Sequence, residues 1–382
     1  MSRHRGAALL LASVLLPPRS VKSQGLDSTW KVSGYLLSLY TQSTTIVPPR
    51  KAFALDLNRF RLKIEGKPTA KLAVDVQYDN EVLLGSYLKT TQYSLTKHRA
   101  ETTFDLQRDY ATRSELVARH GLYRATVTWS GASTDVKVGR QRIPLGTGFF
   151  WSPMDLLNPI DPTRLERDFR TGADAVLVEE ELGAVGRFSM MFTPASERSR
   201  SSAAGYLHGN VLGTDYSVLA GRARGDDVLG ADFSTARGGL GIRGEATLTR
   251  VSDGTQFGRG LLGADYGFTS SLNVTGEAYY NGRGTGDPAR YDFASVLTGR
   301  ALNVARFYGA VAVTYELTPL VKLAAYGVVN LDDWSSVLWP KLEWSVGTNL
   351  DIVAGAQRFR GRSDSEYGRI RNLAHVEVRW FF

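Results

Sequence analysis

No cysteine occurs in the chain, which excludes disulfides, thiol nucleophiles and thiolate metal sites. Histidine is almost as scarce: His4, His98, His120, His208 and His375 are scattered, and none sits in a spacing that would make a metal pair or activate a nucleophile. Beyond the segment Gly6 to Leu16, no apolar run approaches the ~20 residues of a membrane-spanning helix, so a helical membrane protein is excluded. No charge block and no Pro/Ser-rich hinge divides the 382 residues. A strong charge of either sign is also missing. Of 46 basic residues, Arg3, Arg5, Arg19 and Lys22 lie in the first 23 positions, leaving 42 against 38 acidic residues, a balance that carries no nucleic-acid footprint.

What is present begins with a leader. Met1-Ser2-Arg3-His4-Arg5 is basic and the apolar stretch after it is too short to span a bilayer, so residues 1–23 read as a signal peptide cut after Ser23. From there the period of the pattern is two almost everywhere, the signature of strands. Phe60, Leu62 and Ile64 alternate with Arg59, Arg61, Lys63 and Glu65, and Leu72, Val74, Val76 and Tyr78 alternate with Lys71, Asp75, Gln77 and Asp79. Short turns near residues 66–69, 131–133, 182–185, 211–214, 236–239, 269–271, 317–319 and 347–349 alternate with connections that are often longer. That is the organisation of a transmembrane antiparallel up-and-down β-barrel, with charges inward and apolar groups toward lipid. Counting strands predicts about 18, or 16 if residues 201–236 form fewer strands, in one all-β domain over residues 24–382. The last strand, His375 to Phe382, puts Val376, Val378, Trp380 and Phe382 on one face and His375, Glu377 and Arg379 on the other. It is expected to close the barrel against residues 30–40.

One segment breaks the alternation. From Gly139-Arg140-Gln141 the chain enters a proline- and glycine-dense stretch containing Phe149, Phe150, Trp151, Met154, Leu156 and Leu157, too apolar to be left in water. Over about 142–172 it is expected to pack against the barrel wall or fold into the lumen. If it folds inward, Arg164, Glu166, Arg167, Asp168 and Arg170 concentrate both signs of charge where a fixed charge acts most strongly on a passing solute; a solvated charge cluster on an outer loop is the alternative. Arg59, Arg61, Lys63 and Lys71 are a second candidate for the wall of the passage; pairing with Glu65, Asp75, Asp79 or acids of the loop is the alternative. Glu179-Glu180-Glu181 lacks a second catalytic motif, and Gly238-Gly239-Leu240-Gly241 is a turn with no helix after it to hold a phosphate.

The Gly-Arg-Gln strand end followed by a Trp-containing, Asn158-Pro159-Ile160-Asp161 loop resembles bacterial porin-like outer-membrane barrels, including alginate-export-like and uncharacterised families. The C-terminal tail resembles the closing strand of such barrels, in which a terminal aromatic residue is part of the signal read by the barrel-assembly machinery. These resemblances imply an outer-membrane location and passage of small hydrophilic solutes without a cofactor, metal or catalytic residue. A channel for acidic sugars or polysaccharide export is a second reading, and a barrel enzyme such as a lipase or protease a third. The lipid-facing positions do not distinguish a monomer from a homotrimer.

Overall fold

The computed structural model describes residues 29–97, 102–167, 169–170, 172–268, 271–297 and 301–382, so the leader, His98 and Asp168 lie outside the described residues. The strands are β1 (Trp30–Thr44), β2 (Ala52–Thr69), β3 (Leu72–Leu84), β4 (Gln107–Arg113), β5 (Leu116–Ser130), β6 (Thr134–Gln141) and β7 (Ala173–Leu182). They continue as β8 (Gly186–Thr193), β9 (Ser202–Val211), β10 (Thr214–Ala223), β11 (Asp226–Arg237), β12 (Leu240–Arg250) and β13 (Gln256–Gly267). The rest are β14 (Leu272–Asn281), β15 (Phe307–Thr318), β16 (Val321–Asn330), β17 (Ser336–Gly347), β18 (Leu350–Arg360) and β19 (Leu373–Phe381).

All pairings between strands are antiparallel, each strand joins its sequence neighbour except that β3 skips β4 and pairs with β5, and β1 closes the ring by pairing with both β2 and β19. The register Tyr35↔Phe381 to Gln42↔Ala374 makes the C-terminal strand the closing strand, as its alternation predicts. Eighteen strands form the closed barrel. The exception is β4. On one side β5 pairs with β3 along its whole length, but on the other β6 covers only Ala125 to Ser130. The rest of that edge would leave backbone groups without partners, and β4 fills it, pairing Gln107↔Gly121 through Arg113↔Leu116.

The register sends every second side chain outward. Val127, Met190, Leu229, Leu262 and Val311 are among these outward groups, and Leu262 is 60% exposed. An apolar girdle of this extent has no polar cover and belongs in hydrocarbon. Aromatic rings border it. Trp380 and Phe382 lie 5.6 Å apart near the short-turn end, with Phe60 stacked 5.9 Å from Phe382, and Tyr280 and Phe307 lie 5.2 Å apart toward the other end. The short turns share one end of the barrel with both ends of the ring, where the Gly34 amide donates to the Phe382 carbonyl at 3.0 Å. In outer-membrane barrels this is the periplasmic end.

Candidate functional site

The inward loop is built from its first residues. Gly139 holds φ +123, and a Cβ there would lie 2.0 Å from the Ala125 carbonyl oxygen, so only glycine lets β6 approach β5 this closely. Arg140 is buried with Asp174 (Nε to Oδ1 2.8 Å) and donates to the carbonyls of Leu122 (3.2 Å) and Phe104 (2.5 Å). Gln141 donates to the carbonyls of Lys137 and Ala175 at 3.1 and 3.2 Å. The Gly-Arg-Gln segment therefore fixes where the chain leaves the wall.

From there the loop lies against the inner wall. Ile143, Leu145 and Met154 pack on Leu177 of β7, Met191 of β8, Leu219 of β10 and Val228 of β11, which explains why that part of the lumen face is apolar. Farther along, two buried carboxylates receive the loop backbone. Glu245 of β12 accepts from the amides of Thr147 (2.5 Å), Gly148 (2.5 Å) and Met154 (3.1 Å) and from the Ser152 hydroxyl (2.9 Å). Glu277 of β14 accepts from the amides of Phe149 (2.5 Å), Phe150 (2.7 Å) and Trp151 (3.4 Å) and from Arg243 Nε (3.1 Å). An irregular backbone in the lumen exposes N–H groups that need acceptors, and ionised carboxylates are the strongest available. Phe150, fully buried, and Trp151 then enter an aromatic cluster in which Trp151 stacks on Tyr279 at 5.1 Å.

The returning half crosses to the opposite wall. Gln357 of β18 donates to the Thr163 carbonyl at 2.6 Å. Glu166 pairs with Arg59 of β2 at 2.6 Å, and Phe169 stacks on Tyr123 of β5 at 4.8 Å. Arg170 reaches Asp155 at 3.4 Å, tying the two halves together. Burial pushes the Asp155 carboxyl up to about 7, against the opposing pull of the Asn158 amide and Arg170. A carboxyl raised above its unfolded value stabilises the fold fully below about pH 4 and loses that contribution as pH rises through about 7. The unfolding temperature should therefore rise as pH is lowered from about 8 to about 5. Asp155→Asn should flatten that trend; thermal unfolding of both proteins across this range checks it.

Beside the docked loop remains a cavity of about 930 Å³. It extends to the short turn at Thr318 to Leu320 and is lined by Arg61, Arg167, Arg170, Lys322, Lys341 and Arg379 together with Glu166, Glu316, Glu343, Asp351 and Glu377. Arg167 lies 4.4 Å from the Phe149 ring centroid, and Arg61 lies 3.5 Å from that of Tyr123.

The predicted site residues divide. Arg61, Glu166, Arg167, Arg170, His375, Glu377 and Arg379 line this cavity, whereas Trp380 stands outward beside Phe382. Arg59 does not line it: 2% exposed, it is clamped between Glu81 and Glu166, each at 2.6 Å. Lys63 pairs with Glu65 at 2.8 Å, and Arg61 pairs with Asp79 at 2.6 Å. Lys71 is a correction. It occupies the turn between β2 and β3, exposed, because the chain reverses at residues 70–71 and the alternation does not extend through the reversal. Arg164 is exposed, 5.7 Å from the Phe169 ring. Glu245 and Glu277 carry no local sequence signal, because each is an ordinary inward residue of an alternating strand. The glycines at 146 and 148 were the available signal. At both, a Cβ would collide with Ser152, Glu245 or Trp151, so the loop backbone must lie close to an acceptor. Among the described residues no group of His, Asp and Glu is arranged to hold a metal ion.

No family model matches the chain, and no curated protein matches it. Solved structures share its architecture. The crystal structure of Acinetobacter baumannii OccAB1 has 10% sequence identity with it, covering 94% of this chain and 98% of that chain, with a TM-score of 0.60. A triple mutant of the Rhodopseudomonas blastica porin covers 92% of this chain and 100% of that one at 12% identity and a TM-score of 0.46, a likeness too slight to carry weight. At these identities the likeness concerns the fold. The chain is a closed, antiparallel 18-strand transmembrane β-barrel with a loop folded into its lumen. Its fold is that of the porin-like barrels of the bacterial outer membrane.

Proposed function

We propose that the protein is a passive channel for small hydrophilic solutes across the outer membrane. The observation that supports this reading is the polar cavity left beside the docked loop. Its six basic and five acidic lining side chains nearly cancel, which favours weak ion preference over strict anion or cation selection. The loop narrows the lumen without filling it, and its two-sided attachment suits a rigid constriction rather than a moving lid.

A second reading, a channel for acidic sugars, is favoured by the rings of Phe149, Tyr326 and Trp339 in the same cavity as Arg167 and Lys341. Flat rings beside cations suit a solute with an apolar ring face and an anionic group. Recording the purified protein in planar bilayers separates the two. Stable ohmic steps with weak ion preference are expected for the general channel, and concentration-dependent block by acidic oligosaccharides for the specific one. A correctly folded barrel without conductance contradicts both.

A further inference from the structure

The outer face of β18 begins apolar, with Leu350, Ile352 and Ala354, and ends at the long-loop rim with Arg358 and Arg360. The register sets Arg358 opposite Leu338 of β17, an outward residue 52% exposed on the apolar girdle, and Arg360 opposite Ser336. The girdle therefore gives way to two exposed guanidinium groups on one face of one strand, with Cα atoms roughly 7 Å apart. Among the described residues no acidic side chain pairs with either; Asp364 pairs with Arg362 instead. On the β10 to β12 part of this rim a counter-charge is built in. Arg222 of β10 pairs with Asp227 at 3.5 Å, and Arg250 of β12 stands opposite the same Asp227.

We propose that Arg358 and Arg360 form a docking surface for the phosphorylated headgroup of a glycolipid in the outer leaflet. The proposal rests on the membrane orientation of the barrel and is independent of what passes through it. Unpaired cations at a membrane boundary attract anionic headgroups, and guanidinium matches phosphate oxygens with paired, parallel hydrogen bonds. The arrangement is amphipathic in the sense a lipid requires, because the cations cap a wall of Leu338, Leu342 and Ala354 along which acyl chains can lie. A free anion would gain nothing from that wall.

Native mass spectrometry of the purified full-length protein in neutral detergent tests this, using bisphosphorylated lipid A, its dephosphorylated form and inorganic phosphate as probes. Lipid A is expected to bind saturably, with affinity about tenfold or more weaker in R358A/R360A and intermediate in R358K/R360K, which keeps charge but loses the planar fork. The dephosphorylated lipid should bind weakly, and equimolar inorganic phosphate should not displace lipid A. The lysine variant, with both charges retained, keeps the comparison readable should the alanine variant fail to fold. Equal lipid A affinity in the wild type and either double variant overturns the proposal. So does equal binding of the dephosphorylated lipid, or displacement by equimolar phosphate.

Discussion

Replacing Glu245 and Glu277 together by alanine is expected to raise the single-channel conductance about twofold or more, with open-state noise that the wild type lacks. The reason is local. These two carboxylates accept from the amides of Thr147, Gly148, Phe149, Phe150, Trp151 and Met154, and the double substitution removes every one of those acceptors. A buried N–H left without a partner costs about 1–3 kcal/mol, so the tip of the loop has no reason to remain on that wall. The first part of the loop should stay in place, because the packing of Ile143 and Leu145 on β7 to β11 does not involve either glutamate. Arg243 would keep Asp265, at 2.5 Å, after losing Glu277. Heat-modifiable electrophoretic mobility reports whether the barrel is still closed. Unchanged conductance in a folded double variant would mean that apolar packing alone holds the loop.

Arg59→Ala should lower the stability of the folded barrel by about 3–5 kcal/mol, the cost of stranding buried partners of an ion pair. Arg59 is the shared cation of Glu81 and Glu166 and also lies 3.9 Å from the Phe169 ring centroid, so one truncation breaks contacts to the wall and to the returning half of the loop. Lys63→Ala, at a half-exposed pair with Glu65, should change stability by no more than about 0.5 kcal/mol. Urea unfolding in detergent micelles distinguishes the two. Reversal potentials in a salt gradient should also shift toward cations for Arg59→Ala, because Glu166, which lines the cavity, loses the charge that neutralises it, whereas Glu81 keeps Arg119 at 2.7 Å.

Much of the architecture was legible because a half-lipid, half-lumen strand must alternate. The run from Phe60 to Glu65, the turn before Leu350 and the terminal Trp380 to Phe382 each carry their strand assignment in their own residues. The inward loop was legible for a different reason: its prolines and glycines cannot extend a ladder, and its aromatic residues need cover. What was not legible depends on distant pairing. β4 exists because β6 ends early on the far side of β5, and nothing within Gln107 to Arg113 records that. Arg59 and Arg61 look equivalent two residues apart, yet the loop supplies Glu166 to one, while Asp79 of β3 takes the other at 2.6 Å. Glu245 and Glu277 are about 100 or more residues from most of the amides they receive, and no local pattern marks them.

The central claim, that solutes pass through the cavity beside the docked loop, can be tested with one thiol, because the chain contains no cysteine. Arg167→Cys places that thiol on the cavity wall, and Leu342→Cys places one on the lipid face as the control. Planar-bilayer current is recorded while a bulky, water-soluble methanethiosulfonate is added, with modification confirmed by mass. The expected result is a stepwise fall in conductance for Arg167→Cys and no change for Leu342→Cys. Full conductance from a fully modified Arg167→Cys barrel would contradict it.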